Sequence, residues 1–454
     1  QWAAGSNPAG SVGNVILVPF IDNEFLKFFL KDSPNLGKIF FYTGLFLLPS
    51  AFSIGSICLI ISLIFSFKSG GNNFFNDKLN LIFIISCLTL LISSAINFID
   101  KNSIHHISSS SFLIFLGLSN WIPQIFVFIG FQKYLVSSNE RKICATALIT
   151  GSIPIIFSCF SQSLLNWHGP MRTLYGLIVW YQRPIDGFTD ITGLFSNPNY
   201  LGAWLNIIWP FLLALIFFDN RNKFKFFFKL ILTVSTTALI ILTASRSAWI
   251  CLLIPIPLIY PSPYKKYFFY SISLISFLLI NLVFPILGKD FQLILRQIIP
   301  EGLWINFVKS GFETLDISRI EIWKYASSFI ANQPIFGYGS RSFTPLFLNQ
   351  TSIWKGHSHN LPLELMVSYG IPSALLILVP ISYLIYKSYA QLLSRNARLT
   401  KQSIIDKAWI VSLSSLILMH LVDIQYFDGR ISITSWILLA GARNIILQDK
   451  VNDS

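Results

Sequence analysis

Apolar runs of about 20 residues recur along this chain, and that length is what a helix needs to cross a hydrocarbon core of roughly 30 Å. They read as Leu79–Ile99, Phe112–Phe131, Ile143–Phe160, Asn199–Phe218, Phe226–Ala244, Ser247–Tyr260, Tyr267–Leu287, Leu365–Tyr386, Ala408–Tyr426 and Ile431–Leu447. The first run, Ile39–Phe67, would be about 43 Å long as one helix, and Pro49 and Gly55 could break it into a tight pair. With 53% hydrophobic and 12% charged residues, a soluble fold has nowhere to hide so much apolar surface. The expected fold is an all-α polytopic membrane protein, a bundle of about 11–12 transmembrane helices with one large external loop.

The net charge of +13 raises the question of a nucleic-acid partner. The basic residues, however, sit in short loops between spans and not on one face, the pattern of cytoplasmic loops. Lys133, Arg141 and Lys142 mark one such loop, Arg221, Lys223, Lys225 and Lys229 a second, and Lys265 and Lys266 a third; Lys387, Arg395, Arg398, Lys401 and Lys407 mark a fourth. The alternation throws three polar features to the outside: the loop 161–198, the turn at Ser245-Arg246-Ser247, and the loop 288–360. Four regions follow: a surface segment 1–38 with an amphipathic pattern, a bundle 39–287, the large loop 288–360, and C-terminal spans with a tail over 361–454. The N-terminus falls on the cytoplasmic side if Ile39–Phe67 is two helices, and on the other side if it is one. Cys58, Cys87, Cys144, Cys159 and Cys251 lie in or near apolar runs at no metal-ligand spacing, so they read as packing residues.

The external features hold the unusual side chains. Arg246 lies between two apolar runs, where an arginine can be an interfacial anchor or a planar fork aimed at phosphate oxygens. Ser318 reads as an N-cap and Arg319 as the first residue of its helix, either paired with Glu321 or Asp316 or free to hold an anion. Lys289, Arg296, Lys309, Lys324, Arg341 and Lys355 give the loop a small basic excess, which suits an anionic headgroup. Trp323 and the phenylalanines of the same loop supply an apolar underside. His357 and His359 stand two apart with no third ligand nearby in sequence, so no metal is expected. His359, at the mouth of the bundle near Glu364, has the setting of a general base. His168 and Arg172 share the other external loop and could line the same cleft.

Four stretches in order carry a resemblance: Gly193-Leu194-Phe195-Ser196-Asn197-Pro198-Asn199-Tyr200-Leu201; Ala244-Ser245-Arg246-Ser247-Ala248-Trp249; Arg319-Ile320-Glu321-Ile322-Trp323 continuing through Pro334, Gly337, Gly339 and Phe343; and His359-Asn360 followed by Gly370. Over roughly Gly193–Leu376 the chain resembles the O-antigen ligase and O-antigen polymerase superfamily. The resemblance implies a metal-independent, inverting membrane glycosyltransferase of the GT-C type, without cofactor, in the bacterial inner membrane with its active site on the periplasmic face. It implies an undecaprenyl-pyrophosphate-linked glycan as donor. The acceptor would be lipid A-core for a ligase, or the growing end of another repeat chain for a polymerase. By the same resemblance Arg246 and Arg319 hold the pyrophosphate and His359 is the base. Arg341, His357, Asn360, Trp323 and Arg172, in the external loops, are the further substrate contacts expected from their position. The ligase pattern has Gly, Thr or Tyr where this chain has Ser373.

The residue types suit that chemistry on their own terms. The anomeric carbon of such a donor already bears a diphosphate leaving group. An enzyme then has to position a hydroxyl, take its proton and stabilise charge growing on the pyrophosphate. Two arginines and a histidine suffice, and the external loops hold no Asp-x-Asp motif. A secondary transporter of the bicarbonate-carrier kind is the alternative from another class. It would carry ionisable groups at mid-membrane depth, whereas here they gather at the rim.

Overall fold

The computed structural model describes residues 35–70, 74, 76–99, 113–185, 190–217, 222–259, 270, 274, 277–278, 281–282, 286–298, 318–394 and 401–452. The expected surface helix near the N-terminus, most of Tyr267–Leu287 and the middle of the loop 288–360 lie outside these residues. Among the described residues seven helices are long and apolar enough to cross a membrane. They coincide with seven of the expected runs: Lys78–Ile99, Ile114–Tyr134, Ser138–Leu165, Pro198–Ile216, Lys223–Leu242, Leu361–Gln391 and Gly429–Gln448. The protein is an all-α polytopic membrane protein.

In chain order, α1 (Leu36–Leu47) and α2 (Phe52–Gly70) come first, then α3 (Lys78–Ile99), α4 (Ile122–Phe131), α5 (Ser138–Gly151) and α6 (Ile153–Leu165). A short antiparallel ribbon of β1 (Met171–Thr173) and β2 (Ile178–Trp180) separates them from α7 (Pro198–Phe217) and α8 (Lys223–Leu242). Next come α9 (Arg246–Leu253), α10 (Pro255–Ile259), α11 (Lys289–Ile298), α12 (Arg319–Asn332) and α13 (Phe343–Thr351). The chain closes with α14 (Leu361–Ser394), α15 (Lys401–His420) and α16 (Gly429–Asn452). The expected run Ser247–Tyr260 is thus two short helices, α9 and α10. The proline at position 255 has no N–H to offer the preceding turn, which accounts for the break.

The run Ile39–Phe67 is a helical hairpin, the two-helix alternative. Ser62 Oγ donates to the Gly37 carbonyl at 2.7 Å, so α2 returns to the end of the bundle from which α1 started. The pair packs tightly because Gly55 has no side chain; a Cβ there would lie 2.6 Å from the Leu48 amide nitrogen. At this same end, here the far end, Lys38 pairs with Glu140 and Arg443 with Asp77. Arg141, expected as a loop cation, is fully buried there against Asp406 at 2.8 Å, with the Leu135 and Val136 carbonyls completing its fork. Removing one partner of such a pair strands the other charge, so the contact fixes α5 against α15.

The longest helix is broken. Gly370 in α14 has φ of +80°, and the amides and carbonyls freed by the break are taken up by the loop between α12 and α13. Tyr338 N donates to Val367 O and Gly339 N to Ser368 O, both at 2.9 Å, while Ile371 N donates to Pro334 O at 2.7 Å. From the other side, α3 grips the same loop through Ser93 Oγ and Asn97 Nδ2, which donate to Phe336 O at 2.6 and 3.1 Å. Backbone groups away from water must be paired, and this stitching does so at the break. A second apolar core, built from Ile322, Ala326, Phe329, Phe343, Phe347 and Val367, then binds α12 and α13 to the first half of α14.

Two outcomes test this layout. A Cβ at Gly370 would lie 2.0 Å from the Ile335 carbonyl oxygen, whereas at Gly176, with φ of +89°, it would meet nothing within 4 Å. Gly176→Ala should therefore cost only left-handed strain, roughly 1–2 kcal/mol. Gly370→Ala should lower the unfolding temperature in detergent much further; equal losses would refute the stitched break. Cysteines placed at the exposed positions Tyr175 and Lys223 should react with an impermeant thiol reagent from opposite sides of the membrane.

Candidate active site

Five chain segments meet at the opposite end of the bundle, and each is held there by a local device. Gln162 in α6 fixes the loop before α7: its Oε1 accepts from Thr192 N and Gly193 N at 3.0 and 2.8 Å, and its Nε2 donates to Arg183 O at 2.6 Å and Thr192 Oγ1 at 3.1 Å. Asn197 then caps α7, its Oδ1 accepting from Asn199 N at 2.7 Å. Between α8 and α9 the chain turns through Ala244 at φ +52°, and the extended Ser245 leaves Arg246, exposed, as the first residue of α9. Ser318 Oγ accepts from Glu321 N at 3.3 Å as the cap of α12, which makes Arg319 its first residue.

The fourth segment, just before α14, carries both histidines. Asn360 caps the helix, its Oδ1 accepting from Leu363 N at 3.0 Å, and its Nδ2 donates to Leu421 O at 2.8 Å. Glu364 reaches back so that its Oε2 accepts from Ser358 N at 2.9 Å. His359, at φ +52°, is turned so that its own N–H donates to His357 Nδ1 at 3.1 Å, and the two rings sit edge to face with centroids 4.2 Å apart. Asn360, expected as a substrate contact, uses one amide hydrogen and its carbonyl oxygen in these two contacts, which leaves its second amide hydrogen beside the histidines.

The fifth segment follows α15 and supplies a residue the sequence reading overlooked. Asp423, buried, receives His359 Nδ1 at 2.9 Å on Oδ1, Asn199 Nδ2 at 2.7 Å on Oδ2 and the Ile424 N–H at 2.9 Å. His357 Nε2 lies 3.9 Å from the same Oδ1. Burial acts most strongly on this carboxyl and would raise it, but the His359 hydrogen bond, the two histidine charges and the Ile424 amide outweigh it and hold it below the usual carboxylate range. Burial likewise pulls the His357 imidazole down to about 4, aided by His359 and Arg319 and opposed by Asp423. The Arg319 guanidinium is lowered by its own burial and by Arg246, with Asp423 opposing. Arg246, Arg319, His357, His359 and Asp423 thus share one electrostatic neighbourhood.

The remaining expected contacts are spread more widely. Arg341, exposed and at φ +60°, acts on Tyr426, whose hydroxyl is held well above its ordinary value by burial and by Glu364 against the pull of that arginine. Trp323 packs, half-buried, on the second apolar core. Arg172 stands exposed on β1 opposite Val179, and what joins the ribbon to the site is its base, where Gln182 N donates to Gly193 O at 3.0 Å. At that base Arg183 Nη1 also donates to Ser196 O at 3.2 Å, and from the other side Arg430 lies 3.8 Å over the Phe195 ring.

His357, His359 and Asp423 place their ligand atoms within 4.8 Å of one another, the one grouping among the described residues able to hold a metal ion. The third ligand missing from the sequence neighbourhood comes from 64 residues away. In this structure the His359–Asp423 hydrogen bond, at 2.9 Å, occupies two of the same atoms. With Nδ1–H donated to Asp423, the tautomer assigned by that bond leaves Nε2 as a proton acceptor. The arrangement can take a proton from a bound hydroxyl and surround an anion with two guanidinium groups.

Residues 231–378 match the family model described as O-antigen ligase. The match contains Arg246, Arg319 and His359 and excludes Asn199 and Asp423. Over 283 residues, 60% of its length, the chain is 26% identical to a ComP-specific O-oligosaccharyltransferase of Acinetobacter baylyi. The alignment covers 48% of that protein, so the chain spans about half the length of the curated relative it matches.

Burial of a neutral His357 makes stability depend on pH. Its imidazole takes a proton near pH 6.5 when unfolded and only near 4 when folded, so between those values the unfolded state binds more protons and stability falls as pH falls. A wild-type unfolding temperature that declines from pH 6.5 to 4.5, with a smaller decline in His357→Asn, is the expected result. Parallel curves would contradict it.

Proposed function

We propose that the chain, which carries the O-antigen ligase match over residues 231–378, is a membrane glycosyltransferase that moves a glycan from an undecaprenyl-pyrophosphate-linked donor to a hydroxyl acceptor. On our first reading the acceptor is a lipid A-core sugar. Polymerisation of lipid-linked repeat units is the alternative within the same chemistry. The reading is carried by the His359–Asp423 pair, 2.9 Å apart, with Arg319 and Arg246 beside it at a junction of helix ends.

In this mechanism the exposed Arg246 and the half-buried Arg319 grip the donor's diphosphate through bidentate contacts and balance the charge that grows as the glycosidic C–O bond breaks. His359 Nε2 accepts the proton of the incoming hydroxyl. Asp423 fixes the ring and offers its negative charge to the imidazolium that forms, while Asn199 and the Ile424 amide fix Asp423. Attack opposite the leaving diphosphate inverts the anomeric centre, and no step in this scheme calls on a metal. The far end carries Lys38, Arg141, Lys142, Lys223 and Lys225, the sign of a cytoplasmic face, and this supports a periplasmic active site in the inner membrane. The relative's name favours a hydroxyl acceptor and gives a specific second reading: the hydroxyl of a protein side chain in place of a core sugar.

The test is transfer by the purified protein in lipid nanodiscs, with lipid-linked donor and, in parallel, core oligosaccharide, lipid-linked repeat unit and an acceptor protein. His359→Ala should slow transfer by about 10²–10⁴-fold with donor binding retained. Arg319→Lys and Arg246→Lys should each lose activity clearly, since charge without the planar fork grips a diphosphate poorly. Wild-type rates in Arg319→Ala or His359→Ala would sink the proposal.

A further inference from the structure

The outer face of α12 carries a cleft that the transfer chemistry does not use. It opens over about 450 Å³ and is lined by Ser318, Ile320, Glu321, Lys324, Tyr325, Ser328 and Gln350. Four of these stand at i, i+3, i+4 and i+7 and so share one side of the helix, while Ile322, Ala326, Phe329 and Ile330 bury the other. Gln350 faces them from α13. The aromatic member is held in place: Tyr325 is half-buried, edge-on to Phe347 at 5.3 Å with the ring planes at 84°. One end of the cleft is Ser318, adjacent in the chain to Arg319, whose guanidinium belongs to the charged cluster.

A solvated helix face needs only charge. This one combines a carboxylate that accepts, an ammonium that donates, an amide and a hydroxyl that do both, and a fixed ring, around a cleft about the size of a short glycan. Hydroxyl-rich rings with one apolar face match that set: the polar groups bond the hydroxyls and Tyr325 takes the C–H face. We propose that the α12–α13 cleft is an oligosaccharide subsite, holding sugars of a substrate that lie beyond the reacting residue. The inference rests on the proposed glycan transfer, and it names the part of the chain that reads the glycan away from the bond being made. Donor and acceptor can both present such sugars.

The probe is the set of oligosaccharides released by mild acid from the host's lipid-linked glycan pool, separated by length. Binding to the full-length protein in nanodiscs is followed by saturation-transfer NMR, which needs no turnover. Tyr325→Ala removes the platform, and Ser328→Trp, on an exposed position, fills the cleft without touching the core. Both should weaken oligosaccharides of about four sugars or more roughly tenfold and leave monosaccharide binding unchanged. Affinities equal to wild type at every length, an equal loss at every length, or no binding by the wild type overturns the subsite. Length-dependent binding without transfer would keep the subsite and remove the proposed function. A KM raised by Ser328→Trp for the lipid-linked donor alone assigns the sugars to the donor, and a rise for the acceptor alone assigns them to the acceptor.

Discussion

A buried carboxylate has to be compensated where it stands, and Asp423 is compensated by parts of the chain that have nothing else in common. One oxygen takes the imidazole that precedes α14 and the amide that follows it in sequence; the other takes the side chain at the start of α7. Arg319, on α12, adds charge. Each partner is fixed by a separate cap or turn, so the anion costs little to keep only while all of them are in place. The candidate site is therefore also a meeting point of the bundle, and a defect in any of these segments should be felt by the histidine.

The sequence carried much of this, and the reasons for its gaps are physical. Seven spans were legible because a helix among lipid tails must be apolar over a fixed length. Arg246, Arg319 and His359 stood out because charged or titratable groups at span ends are rare enough to notice. Asp423 did not stand out. It sits in Leu421-Val422-Asp423-Ile424-Gln425-Tyr426, which reads as the polar end of an apolar run, and its meaning comes from a histidine 64 positions away. Asn360 has a structural part that adjacency to His359 did not announce, since its side chain caps a helix and holds Leu421. Arg141 looked like a loop cation because nothing local announces Asp406.

The loop with two glycines around Tyr338 was legible as a motif but not as a structure. Its glycines are needed where backbone meets backbone: at Gly337, with φ of +61°, a Cβ would lie 2.6 Å from the Val367 carbonyl oxygen. Nothing in the local pattern says that the partner is a break in a helix some 30 residues on. A helix break in lipid is tolerable only if its freed groups find partners, and the partners here come from the polar loop and from Ser93 and Asn97 of α3.

That break also divides mechanical labour. From Ile371 to Gln391 the helix keeps about 31 Å, close to the thickness of a hydrocarbon core, while the part carrying the histidine segment belongs to the packing unit of α12 and α13. A bilayer that thins or thickens asks its spans to tilt. Because the break is stitched to the loop between α12 and α13, the direction of the upper half is set by that packing unit and by Asp423, not by the axis of the spanning half below it.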